Sequence, residues 1–586
     1  MIRDRQGALE RRDFAAIAVL WAVIALGYVV VRYDAIVHLR MPDGDDYLRL
    51  QQVRDWLAGQ GWFDVSQHRV NPPQGVAMHW SRLVDLPIAL VIIALRPVVG
   101  QANAEIAAGV LIPMATLALI MVLAAATTAR VVARTWAVAA AGIVTLSAAI
   151  YLQVQPLRID HHGWQIVAAL VLLWALSDEA RQWRSGVIAG VAGALWLTIS
   201  VEGLPVVAAA GLVLAGRWLL DPTAAPRLQA YVWALTIASI VFEVATSGLA
   251  WTHTECDELS RPYVLVFLFA SVGVSLFGLS MMRTDWRMRA GAGLLIGLVS
   301  GSAFVWAGRS CLAGPFSALE PLVRTLWLNN VAESLPLWRH GLGPFFADGS
   351  FAVVGCVGAA WAFVTERDRQ ARLRWCTVLV LGVIATALMM VLTRAGGVAH
   401  AYAIPGIVYV VRALKARAEN GRDVYARAAA FSAIVGMLIL PGAALLLDKQ
   451  SSADAQARPC DLNLATIDRL PAGVVFAPLD VGPELVVRTR HSVVATAHHR
   501  NHAAMNDVLS AFTGSTQAAR TKIMAHGAQY VAFCPTASDS ASYIHFAPHG
   551  FAAELAAGRA PYWLRPIPDT LKKGELQMYL VRTSAH

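Results

Sequence analysis

Asp45, Asp46, Asp160 and His162 are the residues whose types and spacing point most directly to chemistry. The stretch "MPDGDDYLRL" (41–50) sets Asp43, Asp45 and Asp46 within four positions, soon after a strongly apolar run ends. Charge at the edge of a bilayer is costly unless it is solvated, paired or functional. Asp45, Asp46, Tyr47, Arg49, Arg54 and Asp55 recur at helical spacing, which predicts an amphipathic helix near the surface. Asp45 and Arg49, at i,i+4, form an ordinary ion pair on that reading. The stretch "RIDHHG" (158–163) shifts the balance, because it brings Asp160, His161 and His162 to the end of a different apolar run. An Asp and a His two residues apart can supply an oxygen and a nitrogen to one divalent cation, and Asp45 can add a third ligand. Such an open site suits a substrate that carries phosphate.

The elements that must position these groups are membrane helices. The chain has 586 residues, of which 57% are hydrophobic and 15% charged, and a mean hydropathy of +0.53. Long apolar runs recur up to residue 450, the pattern of a polytopic α-helical membrane protein. Its first run, "FAAIAVLWAVIALGYVVV", follows Arg3, Arg5, Arg11 and Arg12 and has no small-residue cleavage site. It is expected to be an uncleaved helix with the N-terminus in the cytoplasm. Helices are predicted over 14–32, 104–126, 135–153, 164–177, 186–200, 203–219, 228–249, 262–281, 290–308, 349–365, 376–393, 399–413 and 428–447. The run 85–99 is placed on the membrane without crossing it, because only then do five Arg-bearing loops fall on the cytoplasmic side. "TISVEGLP" breaks 186–219 into two helices; a single helix there would reverse the topology. The outer face then receives 33–103, "QPLRIDHHG", "SVEGLP", "WTHTECDELSRP", 309–348, "TRAGGVA" and everything after 450. A net charge of +9 located mostly in short loops sets orientation and does not point to nucleic acid.

After "LLLDKQSSADAQARPC" the apolar runs shorten. "GVVFAP", "SVVATA" and "QYVAFC" read as buried strands, with "HAAMNDVLSAF" and "STQAARTKIMAHG" as helices, so 450–586 is expected to be a soluble α/β domain following a membrane domain over 1–449. In "AHHRNH", His498, His499, Arg500, Asn501 and His502 read either as a solvated turn capped by Asn501 or as a loop touching a ligand or a lipid phosphate. Cys256, Cys311, Cys460 and Cys534 all fall on the outer side, which permits two disulfides in three pairings. Glu202, Glu333 and Arg394 are further outer-face candidates, although a loop Glu is often only solvated and a helix-end Arg often an interfacial anchor. His79, Trp80, Ser81 and Arg82 read as an anchoring segment.

The pattern resembles the GT-C superfamily of polyprenyl-lipid-dependent glycosyltransferases, and most nearly the single-subunit oligosaccharyltransferases. "DDYLRLQQVRD" is similar to that family's first outer-loop motif, with Asp45, Tyr47, Arg54 and Asp55 on the motif positions. "RIDHHG" sits where the family has its second acidic motif, with Asp160 and His162 at the ligand positions. The loop 309–348 resembles the family's long mobile loop, and Glu333 in "NNVAES" matches its glutamate. The layout of about thirteen helices followed by an outer α/β domain is similar as well. Two departures are visible: His162 stands for a carboxylate, and the tail has no stretch like "WWDYG", which leaves the acceptor open among glycan, lipid and protein.

The resemblance implies an inverting glycosyltransferase at the outer face of a bacterial inner membrane, with a periplasmic C-terminal domain and a sugar donor on a polyprenyl phosphate or diphosphate. Asp45, Asp160 and His162 are expected to hold a divalent cation, Mg or Mn. Asp45 or Asp46 is the expected base, Arg394 and Arg158 hold the lipid phosphate, and Glu333 enters when the long loop orders. With a monophosphate donor no metal is needed, and His161 or His162 contacts phosphate directly. The rival readings are a transporter or flippase, a metal-independent polymerase or ligase, and a non-enzymatic scaffold. Against transport, the helix interiors carry almost no charge and no internal repeat is visible.

Overall fold

The structure, a computed structural model, describes residues 7–278, 285–420, 427–429, 432–433, 436, 460, 462–570 and 575–582. It divides into two compact units. The first comprises Met1–Arg40, Trp80–Pro315 and Pro336–Asp448, and the second Met41–His79, Phe316–Leu335 and Lys449–His586. The expected boundary at 449/450 lies outside the described residues, and the second unit takes in two further stretches from within 1–449.

The first unit is helical. Among the described residues, nine helices are long and apolar enough to cross a membrane, and a tenth span is bent by 71° between Arg134–Val144 and Ala148–Val154. The sequence there is mostly apolar, and Ser147 marks the break: its Oγ accepts from Ile150 N (3.0 Å) and starts a new helix at the bend. Gln182–Ile199 and Leu204–Leu220 are separate helices, as "TISVEGLP" predicts, joined by a turn in which Ser200 Oγ accepts from Glu202 N at 3.4 Å. The predicted helix 428–447 lies almost wholly outside the described residues.

Arg82–Val99 carries Arg82, Asp85 and Arg96 and is not among the nine candidate spans. Leu90, Ile93 and Val98 are exposed on it, while Arg82 and Asp85 are fully buried and paired at 3.2 Å. Trp80 and Arg82 are therefore not interfacial anchors: Trp80 is 3% exposed and Arg82 not at all. An anchor has to reach the bilayer surface, and a guanidinium with a carboxylate partner inside the protein has no reason to.

Small residues set the closest helix contacts. A Cβ on Gly186 would overlap the Arg227 carbonyl, and one on Gly190 the Tyr231 carbonyl, so Gln182–Ile199 lies directly on Ala225–Ser247. Gly406 meets the Gly355 carbonyl in the same way and joins Leu342–Thr365 to Gly396–Asn420. Gly406→Val is expected to destabilise the first unit by about 1–3 kcal/mol, read as a lower melting temperature in detergent. At the end of the bundle away from "RIDHHG", Glu179 bridges Arg217 (2.7 Å) and Arg227 (2.9 Å), and Arg217 reaches Leu373 O (2.7 Å). That cluster pins the ends of four helices together. A disulfide, Cys256–Cys311, with Cα atoms 5.2 Å apart, ties two loops of this unit.

The second unit is built on a five-stranded mixed sheet. Ser492–Val493, Val474–Phe476 and Tyr530–Phe533 run parallel, and Gln577–Val581 and Leu564–Pro566 complete it with antiparallel pairings. Its first three strands and the helices His502–Thr513 and Thr516–Ala525 fall where the sequence places them. Val70 bridges Val493 at the sheet edge, and Asn71 N donates to Val493 O (2.8 Å). Leu319, Val323 and Leu326 enter the same apolar core as Phe476, Phe512 and Tyr579. A second disulfide joins Cys460 to Cys534, with Cα atoms 6.0 Å apart.

The helix Gly44–Leu57 is not amphipathic. Every residue from Asp46 to Val53 is buried, including Asp46 at 0% and Arg49 at 1% exposure. Helical spacing of charge implies a wet face only where nothing packs on that face. Here Gln67 Nε2 donates to Leu48 O (2.9 Å), and a Cβ added at Gly44 would lie 3.2 Å from the Pro483 ring.

Candidate active site

In the first unit the site grows out of the bent span. After Ala148–Val154 the chain turns back through 155–161, where Leu157 takes φ +73°. A leucine adopts that conformation only when its surroundings hold it. Here Leu157 N donates to Gly109 O at 2.7 Å, and its side chain fills the space where Gly109 has no Cβ. The turn delivers Arg158, Asp160, His161 and His162, all buried. Arg158 Nη2 lies 2.9 Å from Asp160 Oδ2, and Asp160 Oδ1 accepts from His162 N (3.0 Å) at the start of His162–Leu176. The His161 and His162 rings are 4.3 Å apart.

A relay orients His162. Trp196 Nε1 donates to Gln165 Oε1 (3.1 Å), and Gln165 Nε2 faces His162 Nδ1 at 3.2 Å. The indole N–H can only donate, so Gln165 Oε1 is the acceptor and Gln165 Nε2 donates to His162 Nδ1. The ring proton of the neutral imidazole then sits on Nε2, which lies 3.7 Å from Asp160 Oδ2.

His162 and Gln165 also line a narrow crevice together with Gln153, Trp196, Glu202 and Arg394. Arg394, at the turn before Gly396–Asn420, is ion-paired with Glu202, and its side chain is 17% exposed. It faces the crevice and is not a snorkelling anchor. Beside the crevice, His400 takes a hydrogen bond with Ser147 Oγ through Nδ1 (2.8 Å) and meets Asp348 O through Nε2 (2.9 Å). With Phe351 stacked on its ring at 4.4 Å, it ties the bend to Leu342–Thr365 and Gly396–Asn420. Sequence reasoning missed Gln153, Gln165, Trp196 and His400. Only Gln165 carried a signal, three residues after His162 and so on the same helix face.

The other candidates belong to the second unit. Asp43 caps Gly44–Leu57 by accepting from Asp45 N (2.9 Å), Asp45 is half-buried, and Asp46 is buried. Tyr47 OH accepts from Met41 N (3.1 Å), and burial, with Glu484 beside it, pushes its phenol up so that it stays protonated. Arg54 Nη1 donates to Val487 O (2.5 Å). Glu333 is half-buried in the short turn Ala332–Ser334. The loop "AHHRNH" is not a solvated turn, since His498 is 3% and Asn501 5% exposed. Asn501 does not cap the following helix; its Nδ2 donates to Val494 O at 3.2 Å.

No family model matches the chain, and no curated protein matches it. Solved structures do. The archaeal oligosaccharyltransferase AglB of Archaeoglobus fulgidus, determined with an inhibitory peptide and a dolichol-phosphate, aligns at a TM-score of 0.68 and 15% identity, over 98% of this chain and 74% of that one. A structure of the Archaeoglobus fulgidus enzyme with Zn and sulfate gives 0.61 and 15%, over 97% and 73%. The arabinofuranosyltransferase AftD from Mycobacteria gives 0.50 and 14%, over all of this chain and 41% of that one. The fold is that of the GT-C glycosyltransferases.

Whether the turn 155–161 suits a divalent cation can be judged from its donors. An ion with ligand distances near 2.1 Å holds neighbouring donors about 3.0–3.4 Å apart. Asp160 Oδ2 and His162 Nε2, buried and 3.7 Å apart, are close to that separation. Ligation through Nε2 requires the ring proton on Nδ1, where the Gln165 amide must turn to accept it. That turn gives up the Trp196 N–H bond to Gln165 Oε1, and the ion would share Asp160 Oδ2 with Arg158, so the pair fits a cation at the cost of both contacts as they stand. Gln165→Glu, which supplies a carboxylate acceptor for Nδ1–H, is expected to tighten divalent-ion binding by about 10–100-fold, measured by calorimetry on the purified protein.

Proposed function

We propose that the chain is an inverting glycosyltransferase that moves a sugar or oligosaccharide from a polyprenyl phosphate or diphosphate to a lipid, glycan or protein acceptor at the outer face of a bacterial inner membrane. The observation that carries this reading is the crevice in which His162, Glu202 and Arg394 meet beside the Arg158–Asp160 turn, within a GT-C fold. The dolichol-phosphate and the acceptor peptide bound by the Archaeoglobus fulgidus enzyme support a lipid-linked donor and admit a protein acceptor. Arg-rich loops on one side of the span pattern and two disulfides on the other support a cytoplasmic N-terminus and a periplasmic second unit.

The acceptor nucleophile attacks the anomeric carbon from the face opposite the phosphate, the bond from that carbon to the phosphate oxygen breaks, and the configuration inverts. Asp45 or Asp46 takes the acceptor proton. Arg394 and Arg158 hold phosphate oxygens; with a monophosphate donor and no metal, His161 or His162 donates an N–H to the same group. Glu333 joins as the long loop closes over substrate. With a diphosphate donor, Asp160 and His162 and, on the motif alone, Asp45 would hold a divalent ion, Mg or Mn, which would supply positive charge at the leaving phosphate.

The test is a transfer assay with polyprenyl-phosphate and polyprenyl-diphosphate sugars, with and without EDTA. Wild type is expected to transfer from one donor class and Asp45→Ala to lose transfer. Undiminished activity in both Asp45→Ala and Asp160→Ala sinks the assignment, and activity that survives EDTA removes the ion from it.

A further inference from the structure

The second unit contains a cluster of three histidines that the proposed transfer does not use. His79 closes the unit's first stretch, and His498 and His499 follow the strand Ser492–Val493. Backbone pairing brings these distant segments together: Val70 bridges Val493, and Arg69 Nη2 donates to Thr489 O (2.7 Å) and His491 O (2.6 Å). One ring nitrogen from each of His79, His498 and His499 lies within 4.8 Å of the other two. His498 Nε2 and His79 Nδ1 are 3.2 Å apart. The ring centroids are separated by 5.2 Å for His79 and His498, 4.9 Å for His79 and His499, and 5.0 Å for His498 and His499.

We propose that His79, His498 and His499 hold a zinc-class divalent ion in a site carried wholly by the second unit. Zinc–nitrogen bonds of 2.0–2.1 Å at a tetrahedral angle put ligand nitrogens about 3.3 Å apart, so His79 and His498 already stand at the required separation. A small rotation of the His499 ring closes the third side. A hydrogen bond between two neutral imidazoles accounts for the His79–His498 contact but not for a third imidazole aimed at the same point. Three nitrogen ligands with no carboxylate among them select zinc, copper or nickel over magnesium and calcium, which prefer oxygen. The inner wall is His498, 3% exposed, while half-buried His79 and His499 leave an entry path. Phe316 stands edge-on to His499, with ring centroids 5.2 Å apart, and packs against its ring. Three protein ligands leave a fourth position open for water or an anionic oxygen, the arrangement of a reactive zinc site and not of a closed structural one.

Full-length protein in detergent, stripped of metal, is titrated with Co(II), whose visible ligand-field bands report a low-coordinate nitrogen site, and then with Zn(II) as competitor. Wild type is expected to bind one Co(II) per chain that shows these bands and is displaced by zinc, separate from any ion taken up by Asp160 and His162. His79→Ala and His499→Ala are expected to weaken it by at least about 100-fold, and Asp160→Ala to leave it unchanged. The half-exposed pair carries the test because their truncation spares the apolar core, which equal melting of the stripped variants and wild type verifies; His79→Gln and His499→Gln repeat the measurement. Absence of the bands in wild type, their survival in the His79 and His499 variants, or their loss in Asp160→Ala overturns the proposal.

Discussion

Asp160→Ala is expected to lower glycosyl transfer by about 1,000-fold or more, with kcat falling more than the affinity for donor. The carboxylate is the hub of its turn: Arg158 pairs with Oδ2, His162 N donates to Oδ1, and the His162 ring faces it. Removal leaves the buried Arg158 guanidinium without this carboxylate and removes the cap of His162–Leu176, so the change affects both charge and shape. Asp160→Asn separates the two. Its Oδ1 still accepts from His162 N, but the negative charge is gone, and activity should remain near the alanine level while melting returns toward wild type. Steady-state transfer rates and thermal unfolding on the same preparations check this. An asparagine variant with near-normal turnover would show that Asp160 is a helix cap and nothing more.

Arg394→Ala is expected to raise the KM for the lipid-linked donor by about 10–100-fold, the value of one or two charge-assisted hydrogen bonds to phosphate, with a smaller change in kcat. The argument rests on its setting. Arg394 faces the crevice that also holds His162, and Glu202 holds the guanidinium there in the absence of substrate. A phosphate arriving in the crevice competes with Glu202 for it, so Glu202→Gln should lower the donor KM. Arg394→Lys keeps the charge but not the planar fork and should recover only part of the loss. Donor titrations of the three variants measure these effects. Equal KM values across the set would return Arg394 to a purely structural role.

The sequence shows most of the helical framework because bilayer length and apolar runs are tightly linked. "TISVEGLP" separates two helices as read, and "RIDHHG" sits at the end of a span with Asp160 and His162 in one turn. The bend at Ser147 was hidden because its surroundings are mostly apolar, and one serine in such a run looks like any other. The role of Arg394 was ambiguous because its partner Glu202 belongs to a different turn of the chain. Long-range pairing of this kind leaves no periodic trace. Helical charge spacing misled at Arg49, and an interfacial motif misled at Trp80 and Arg82, because the sequence records polarity but not what packs against it. Val70 pairing with Val493 shows the same limit for strands: one residue at a sheet edge carries no alternation to detect.

Because the sheet unit draws on residues 41–79 and 316–335 as well as 449–586, its early stretches must wait for the later ones. Arg69 and the Thr489 carbonyl it binds are 420 residues apart, and at 5–20 residues per second that gap is about 20–80 s of translation. Throughout that interval the segment 41–79 has left the ribosome and the backbone groups of Arg69–Asn71 wait for partners, while helix after helix enters the bilayer. Chains stalled or truncated before residue 493 therefore present an unfinished sheet edge to proteases. Covering of that early segment therefore reports that translation has passed residue 493.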